Sequence, residues 1–382
     1  MTAKESKWNI LVVPPNSGGC AYYRAILPAE KLSEHCSDRV NVKTELDPLG
    51  VTKTEDKQPM NVEENELLNW ADIVMISNIP NFGVDYLMTL ISQCKKLNKL
   101  VHYDNDDYLM GLYEEHRMYD AYHEHQIPQT VQKVFRAGAD LVTVTTDKLA
   151  DKISGDVGGT LAVVTNAIDY NAPHFNSPKA PSKATRIGWV GGIHHSPDVK
   201  VFSGVANAVT ALVGRERVSW NLFGRPPHKE GDWQQSTWDD YVKYLSVGSK
   251  GNTNVFPSMT TDTYGQFYSH MDVSIAPLAV STFNECKSEI KAMETGKYGI
   301  PLVATNVGAY DSVIENGHNG YLIPVENSSS DWKRVLVKLC KDKKHREELG
   351  RNLHKSVIDR YDINKVISER VDLYDEVFKG LK

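Results

Sequence analysis

Residues Phe283–Thr305 read FNECKSEIKAMETGKYGIPLVAT. Two lysines, a serine and a glutamate crowd what reads as a helix start, and Gly-Ile-Pro then leads into an apolar strand. A helix N-terminus offers backbone N–H groups and a partial positive charge, which suit a diphosphate. Lys287 and Lys291 stand at i and i+4, so on one continuous helix they share a face. Glu294 lies two turns beyond Lys287, where a carboxylate can accept both hydroxyls of a ribose. Gly296 and Gly299 permit close packing and end the helix before Pro301. An amphipathic surface helix with solvated lysines has the same spacing, and spacing alone does not separate the two readings.

Outward from this stretch, short apolar runs alternate with helical text. In the second half, strands are predicted at Ile187–Val190, Val218–Phe223, Val255–Phe256, Val273–Ala276, Leu302–Thr305 and Tyr321–Ile323. Helices are predicted at Lys200–Val213, Asp262–His270, Ser288–Tyr298 and Trp332–Lys341, and charged helical text fills Lys343–Phe378. In the first half the strands are Asn9–Val13, Ile73–Ser77, Leu100–Tyr103 and Leu141–Val144, with helices at Ala21–Glu34, Val84–Lys96 and Tyr113–Ala137. Such alternation predicts parallel sheets covered on both faces. Between the halves, Asn171–Ser182 (NAPHFNSPKAPS) has the prolines and serines of a linker.

With 41% hydrophobic and 24% charged residues in 382, the chain has the makings of a soluble protein with two cores. No apolar run reaches membrane-spanning length, and MTAKESKWNILVVPP lacks a cleavage signature, so no signal peptide is expected. Five cysteines without a Cys-x-x-Cys pair argue against a disulfide framework and a zinc site, and for a reducing cytoplasm. The net charge of −6 is concentrated in the first half, which disfavours broad binding to nucleic acid or anionic membrane.

METGKYGIPLVAT resembles the nucleotide-sugar motif of glycosyltransferase family 4, the retaining GT-B enzymes. That pattern ends in Glu, a small-residue turn, Gly-x-Pro and an apolar strand. Glu294 matches the second member of the family's Glu-x7-Glu pair; the first would fall on Cys286, with Glu285 one residue off. Phe-Asn-x-x-Lys-Ser-x-x-Lys ahead of it is similar to a bacterial and phage branch. MDVSIAPL (Met271–Leu278), VGAYDSVIENGHNGYLIPVEN (Val307–Asn327), TNAID (Thr165–Asp169) and LVTVTTDKLADKI (Leu141–Ile153) resemble flanking family segments.

The resemblance implies an α/β, GT-B fold: two Rossmann-like domains facing across a cleft. Residues 1–173 would bind acceptor and 181–358 the nucleotide sugar, with a final helix over about 359–382 crossing back to the first domain. It further implies sugar transfer from a nucleoside diphosphate, a UDP-sugar as first choice, to an acceptor hydroxyl, without cofactor or metal. Lys287 and Lys291 would clamp the diphosphate, joined by Lys200 and Arg225. Ser288, Glu294, Glu285 and Cys286 would complete the donor side.

Other segments add candidates. RIGWVGGIHHSPDVK (Arg186–Lys200) holds Gly192, where the family usually has an arginine, with Lys200 at the family's lysine place. His195 and Asp198 belong to a Trp-x-Gly…His-x-x-Asp variant; capping of the next helix is the plainer alternative. Arg225, in LFGRPPH, follows a strand end, where ligands gather in such sheets; a solvated loop residue is the alternative. Gly18 and Gly19 follow the first strand and let backbone approach a donor. Tyr23 and Arg24, in YYR, are candidates for the acceptor side; packing is the plainer reading of the tyrosines, and Arg24 could contact a phosphate or an acceptor. Asp104, Asp106 and Asp107 in HYDNDDYL are candidates for the same side, with Asp106 orienting the acceptor hydroxyl; a capped helix start explains these aspartates equally well.

The acceptor is expected to be a glycan, lipid or small molecule. The alternatives are a hydroxymethylated pyrimidine in phage duplex DNA, which would place the enzyme in a host cytoplasm, and an inactive nucleotide-sugar-binding module. A dehydrogenase is disfavoured, because the glycine fingerprint is missing.

Overall fold

The computed structural model describes residues 7–53, 58–227, 233–248, 251–326 and 328–379. Asn327, within one family-like segment, and the last three residues of the expected final helix lie outside them. The chain divides into two compact units. The first comprises residues 1–110, 121–169 and 362–382; the second comprises 111–120 and 170–361.

The first unit is built on a six-stranded parallel sheet. Its strands are β1 (Trp8–Val13), β2 (Val40–Thr44), β3 (Ile73–Ser77), β4 (Leu100–Asn105), β5 (Leu141–Val144) and β6 (Thr160–Val163), in the order β2-β1-β3-β4-β5-β6. The central strands are rich in apolar residues because they are buried on both faces. At the edges, β2 (VNVKT) and β6 (TLAV) are largely exposed. Their mixed text hid them from the sequence reading.

The helix expected over Tyr113–Ala137 is broken. Tyr119–Glu124 and Ile127–Lys133 are separate helices, followed by a π-helical turn at Val134–Gly138. Gln126 takes a left-handed φ of 51° and Pro128 opens the second helix, a position where its missing N–H costs nothing.

Residues 362–382 belong to the first unit. Trp8 Nε1 donates to Asp375 Oδ1 at 2.7 Å, and Arg39 pairs with Asp372 and Asp375 at 2.7 and 2.5 Å. These contacts hold the Ser368–Val377 helix against the sheet.

The second unit has its own six-stranded parallel sheet. It comprises β7 (Thr185–Val190), β8 (Val218–Arg225), β9 (Thr253–Pro257), β10 (Val273–Ala276), β11 (Leu302–Thr305) and β12 (Gly320–Ile323), in the order β12-β11-β10-β7-β8-β9. Counted within the unit this is 3-2-1-4-5-6, the doubly wound order, whose direction of winding reverses between β7 and β10. Ligands in such sheets bind beyond the carboxyl ends of the strands at that reversal. Trp189, Trp220, Trp238, Trp332 and Phe202 fill the core beneath it.

Candidate functional site

β7 leaves the sheet through Gly191-Gly192-Ile193-His194-His195. Gly224 carries a φ of 112°, and a Cβ there would stand 2.3 Å from the Gly191 carbonyl oxygen, so the exits of β7 and β8 touch backbone to backbone. Tyr241 fixes the turn: its hydroxyl accepts from the His195 N–H at 3.0 Å and donates to the Ile193 carbonyl at 2.7 Å.

His195 Nδ1 lies 2.8 Å from Asp198 Oδ2. Asp198 Oδ1 accepts from the Ala279 amide at 2.8 Å and from Asn284 Nδ2 at 2.7 Å. The carboxylate thereby joins the loop after β7 to the loop after β10, across the winding reversal. Burial opposes its ionisation, but the His195 contact, the Ala279 amide and the Lys287 charge prevail and hold it below the usual carboxylate range.

The opening stretch departs from one continuous helix. Thr282–Glu285 is a short helix capped by Ser281, and the next helix runs Ile290–Lys297. Lys287 and Ser288 lie in the connection, so the i, i+4 relation does not put Lys287 and Lys291 on one helical face. The break is held at Glu289, whose buried carboxylate accepts from Tyr361 Oη at 2.7 Å. Lys287 Nζ sits 4.5 Å from the Phe283 ring centroid, a cation–π contact. Lys291 Nζ instead lies 3.4 Å from Glu294 Oε2.

Glu294 is buried and oriented from two sides: Tyr264 Oη donates to Oε1 at 2.7 Å, and Tyr268 Oη donates to Oε2. Burial, then the Glu294 charge, pushes the Tyr268 phenol well above its ordinary pKa, so it stays a donor. Gly299 ends this helix with a φ of 60°, the left-handed position that follows many helices. Gly296 and Gly350 let the Lys343–Val357 helix pack closely against it: a Cβ on Gly350 would stand 1.9 Å from the Gly299 carbonyl oxygen.

Residues 111–120, from the first half of the sequence, complete this cluster. The Tyr113 hydroxyl bonds to the Ser281 and Asn284 side chains. The His116 ring stacks on His194 at 6.4 Å between centroids and meets the Phe283 ring at 5.1 Å. Arg117 Nη1 donates to Thr237 Oγ1 at 2.5 Å. Burial, then the charges of His195, Arg117 and Lys287, hold His194 below its ordinary pKa. Sequence reading missed Tyr113, His116 and Arg117; the one available signal was their position after the carboxyl end of β4.

The remaining donor-side candidates are dispersed. Cys286 is fully buried, and its thiol packs as a small core side chain. Glu285 is half-buried beside it. Gly192 is exposed in open space. Lys200 is exposed at the end of the Ser196–Lys200 helix. Arg225 Nη2 lies 3.5 Å from Asp239 Oδ1.

The first unit presents a second constellation at its carboxyl edge. Gly18 and Gly19 are exposed, the Gly18 amide donating to Asn16 Oδ1 at 2.6 Å. Asn78 ends β3 with a φ of 52° and donates from Nδ2 to Asp106 Oδ1 at 2.9 Å. Burial, then the neighbouring Asp107 charge, pushes the Asp106 carboxyl up to about 6. Asp106 and Asp107 are both partly exposed.

Three acceptor-side candidates lie in the interior of the first unit. Tyr23 is buried and packs on Tyr22. Arg24 and Asp104, both 0% exposed, pair with each other: Arg24 Nη2 and Nε donate to Asp104 Oδ1 and Oδ2 at 2.5 and 2.9 Å. Arg24 Nη1 donates to the Val164 carbonyl at 2.7 Å. Thr143 Oγ1 donates to Asp104 at 2.5 Å, and His102 joins Thr143 Oγ1 to Tyr374 Oη at 2.7 and 2.9 Å. Burial pushes His102 down to about 3, so it is neutral. Because Thr143 spends its proton on Asp104, His102 must carry its hydrogen on Nε2 and accept from Tyr374. This chain is framework, locking the last helix to the sheet.

Among the described residues, no helix is long and apolar enough to cross a membrane. All five cysteines are free thiols.

The family described as Glycosyl transferases group 1 matches residues 184–342. The chain is 29% identical over 117 residues to the capsular polysaccharide biosynthesis glycosyltransferase CapM of Staphylococcus aureus, covering 30% of this chain and 28% of that one. It is 27% identical over 126 residues to the D-inositol 3-phosphate glycosyltransferase of Streptomyces bingchenggensis, covering 33% and 26%. The matches thus span less than a third of these relatives' length. Whole-chain likeness is to solved structures. Sucrose-phosphate synthase of Thermosynechococcus elongatus aligns with a TM-score of 0.69 at 14% identity, covering 98% of this chain and 99% of that one. Anabaena HepE, in complex with UDP and glucose, aligns with a TM-score of 0.64 at 16% identity, covering 97% and 99%. The chain has the two-domain α/β fold of GT-B glycosyltransferases.

Proposed function

We propose that this chain is a glycosyltransferase that moves a sugar from a nucleoside-diphosphate sugar to an acceptor hydroxyl, with retention at the anomeric carbon. The observation that carries this reading is the cluster at the winding reversal of the second unit, where Asp198 joins the two strand exits and Lys287 stands beside them. It falls inside the segment matched to Glycosyl transferases group 1. A UDP-sugar is the donor of choice, supported by the likeness to HepE, a protein solved with UDP-glucose.

In this reading the second unit holds the donor. Lys287 and Lys291 neutralise the diphosphate, Ser288 bonds to it, and Glu294, pre-oriented by Tyr264 and Tyr268, accepts the ribose hydroxyls. The first unit binds the acceptor, and Asp106 orients its hydroxyl. The acceptor oxygen forms a bond to the anomeric carbon on the face from which the diphosphate departs. The bond from that carbon to the diphosphate breaks, and the acceptor's proton passes to the leaving phosphate oxygen. Stabilising the departing charge is usually the largest catalytic term. The acceptor is a glycan, lipid or small molecule, and the free thiols support a reducing compartment.

The test uses Lys287→Ala and Glu294→Gln with UDP-glucose and other nucleotide sugars. Each should lower turnover by about 100-fold or more with unchanged circular dichroism. Wild-type turnover in either variant would remove that residue from the mechanism, and an inverted anomeric signal in the product's proton spectrum would remove retention.

A further inference from the structure

We propose that Arg117, supplied by residues 111–120, is a diphosphate-binding residue of the second unit. This rests on the donor reading above and adds a cation that lies outside the matched segment.

The segment is part of the second unit although the flanking sequence belongs to the first. It is seated at the winding reversal by several independent contacts. Tyr113 bonds to Ser281 and Asn284, and His116 stacks on His194 and meets Phe283. Phe283 carries the Lys287 ammonium on its ring. Arg117, the next residue after His116, is exposed, and its guanidinium is steered by the buried Thr237 hydroxyl.

His116 joins the two cations: its ring stacks on His194 and meets Phe283, which carries Lys287, while Arg117 follows it in the chain, and both charges help to hold His194 below its ordinary pKa. The cluster's buried carboxylate, Asp198, is committed to His195, the Ala279 amide and Asn284. Glu115, on the same segment, is exposed beside Tyr113. A planar guanidinium with five N–H donors makes paired, charge-assisted bonds to phosphate oxygens. A diphosphate is a ligand whose charge suits a lysine and an arginine held in one cluster. Lys200 and Arg225 fit this role less well: the first is exposed at a helix end and the second reaches toward Asp239.

The experiment is calorimetric titration of full-length wild type, Arg117→Ala and Arg117→Lys with UDP and uridine, GDP and guanosine, and ADP and adenosine. Arg334→Ala, which removes another exposed arginine of the same unit, controls for net charge. The readout is the ratio of diphosphate to nucleoside affinity for the pair that wild type binds best. It is measured on one sample of each protein, so a fraction of unfolded chain does not alter it. Arg117→Ala should lower this ratio about 10- to 100-fold, with nucleoside affinity held within about twofold. Arg117→Lys should recover part of the loss, and Arg334→Ala should match wild type. A wild-type ratio in Arg117→Ala overturns the proposal and leaves the donor reading standing. Failure of wild type to bind any of the nucleotides overturns both.

Discussion

Replacing Asp106 by asparagine should make the protein more stable at neutral pH while harming catalysis. The carboxyl is raised from an ordinary 3.8 to about 6, first by burial and then by the Asp107 charge. That is about two pH units, and at 1.36 kcal/mol each the ceiling is about 3 kcal/mol. The side chain is partly exposed, so solvent screening reduces this to about 1–2 kcal/mol. Between about pH 4 and 6 the native state holds this proton more tightly than the unfolded chain does. Stability therefore falls as pH rises through that window, and the loss is complete above it. Asparagine keeps an oxygen to accept from Asn78 Nδ2 and never ionises. Urea unfolding at pH 4, 5, 6 and 7.5 should show Asp106→Asn ahead by about 1–2 kcal/mol at pH 7.5, with the gap closing toward pH 4. A variant no more stable than wild type at pH 7.5, or a gap that persists at pH 4, would refute the reasoning. A turnover loss accompanying the gain would mark Asp106 as a group held in a strained state for its chemistry.

Two further outcomes test the framework. Arg24→Met should cost about 3–5 kcal/mol in urea unfolding, because it leaves Asp104 charged and buried without its partner; a loss below 1 kcal/mol would return Arg24 to the list of surface ligands. Gly350→Ala should cost about 1–3 kcal/mol, since its Cβ meets backbone that must shift. The Ile290–Lys297 helix should be displaced with it, so nucleotide affinity should also fall.

The central strands were legible because burial on both faces leaves them rich in apolar residues, although buried polar side chains such as His102, Asp104 and Thr143 interrupt them. The edge strands β2 and β6 were not, because half-exposed strands carry the mixed composition of loops. Glu294 and the Gly-Ile-Pro turn were legible because the chemistry of a helix end is local. The break between Glu285 and Ile290 was not, since it depends on Tyr361, seventy-two residues beyond Glu289. Arg24 and Asp104 looked like surface ligands because their text is polar; only the tertiary structure brings each to the other and removes both from water. Arg117 was invisible for the opposite reason: nothing local ties GLYEEHRMYD to a sheet whose first strand begins at Thr185.

Assigning residues 111–120 to the second unit and 362–382 to the first makes the two units interleaved in time as well as in sequence. During synthesis the first unit waits for the helix carrying Tyr374 and Asp375, which is made after every strand of both sheets. The segment carrying Arg117 emerges before any strand of its own sheet. The first unit therefore cannot be completed before the second has been made, and the second cannot be completed from residues 170–361 alone. Residues 171–182, expected as a linker, lie within the second unit, and cutting the chain there should yield two incomplete bodies rather than two domains.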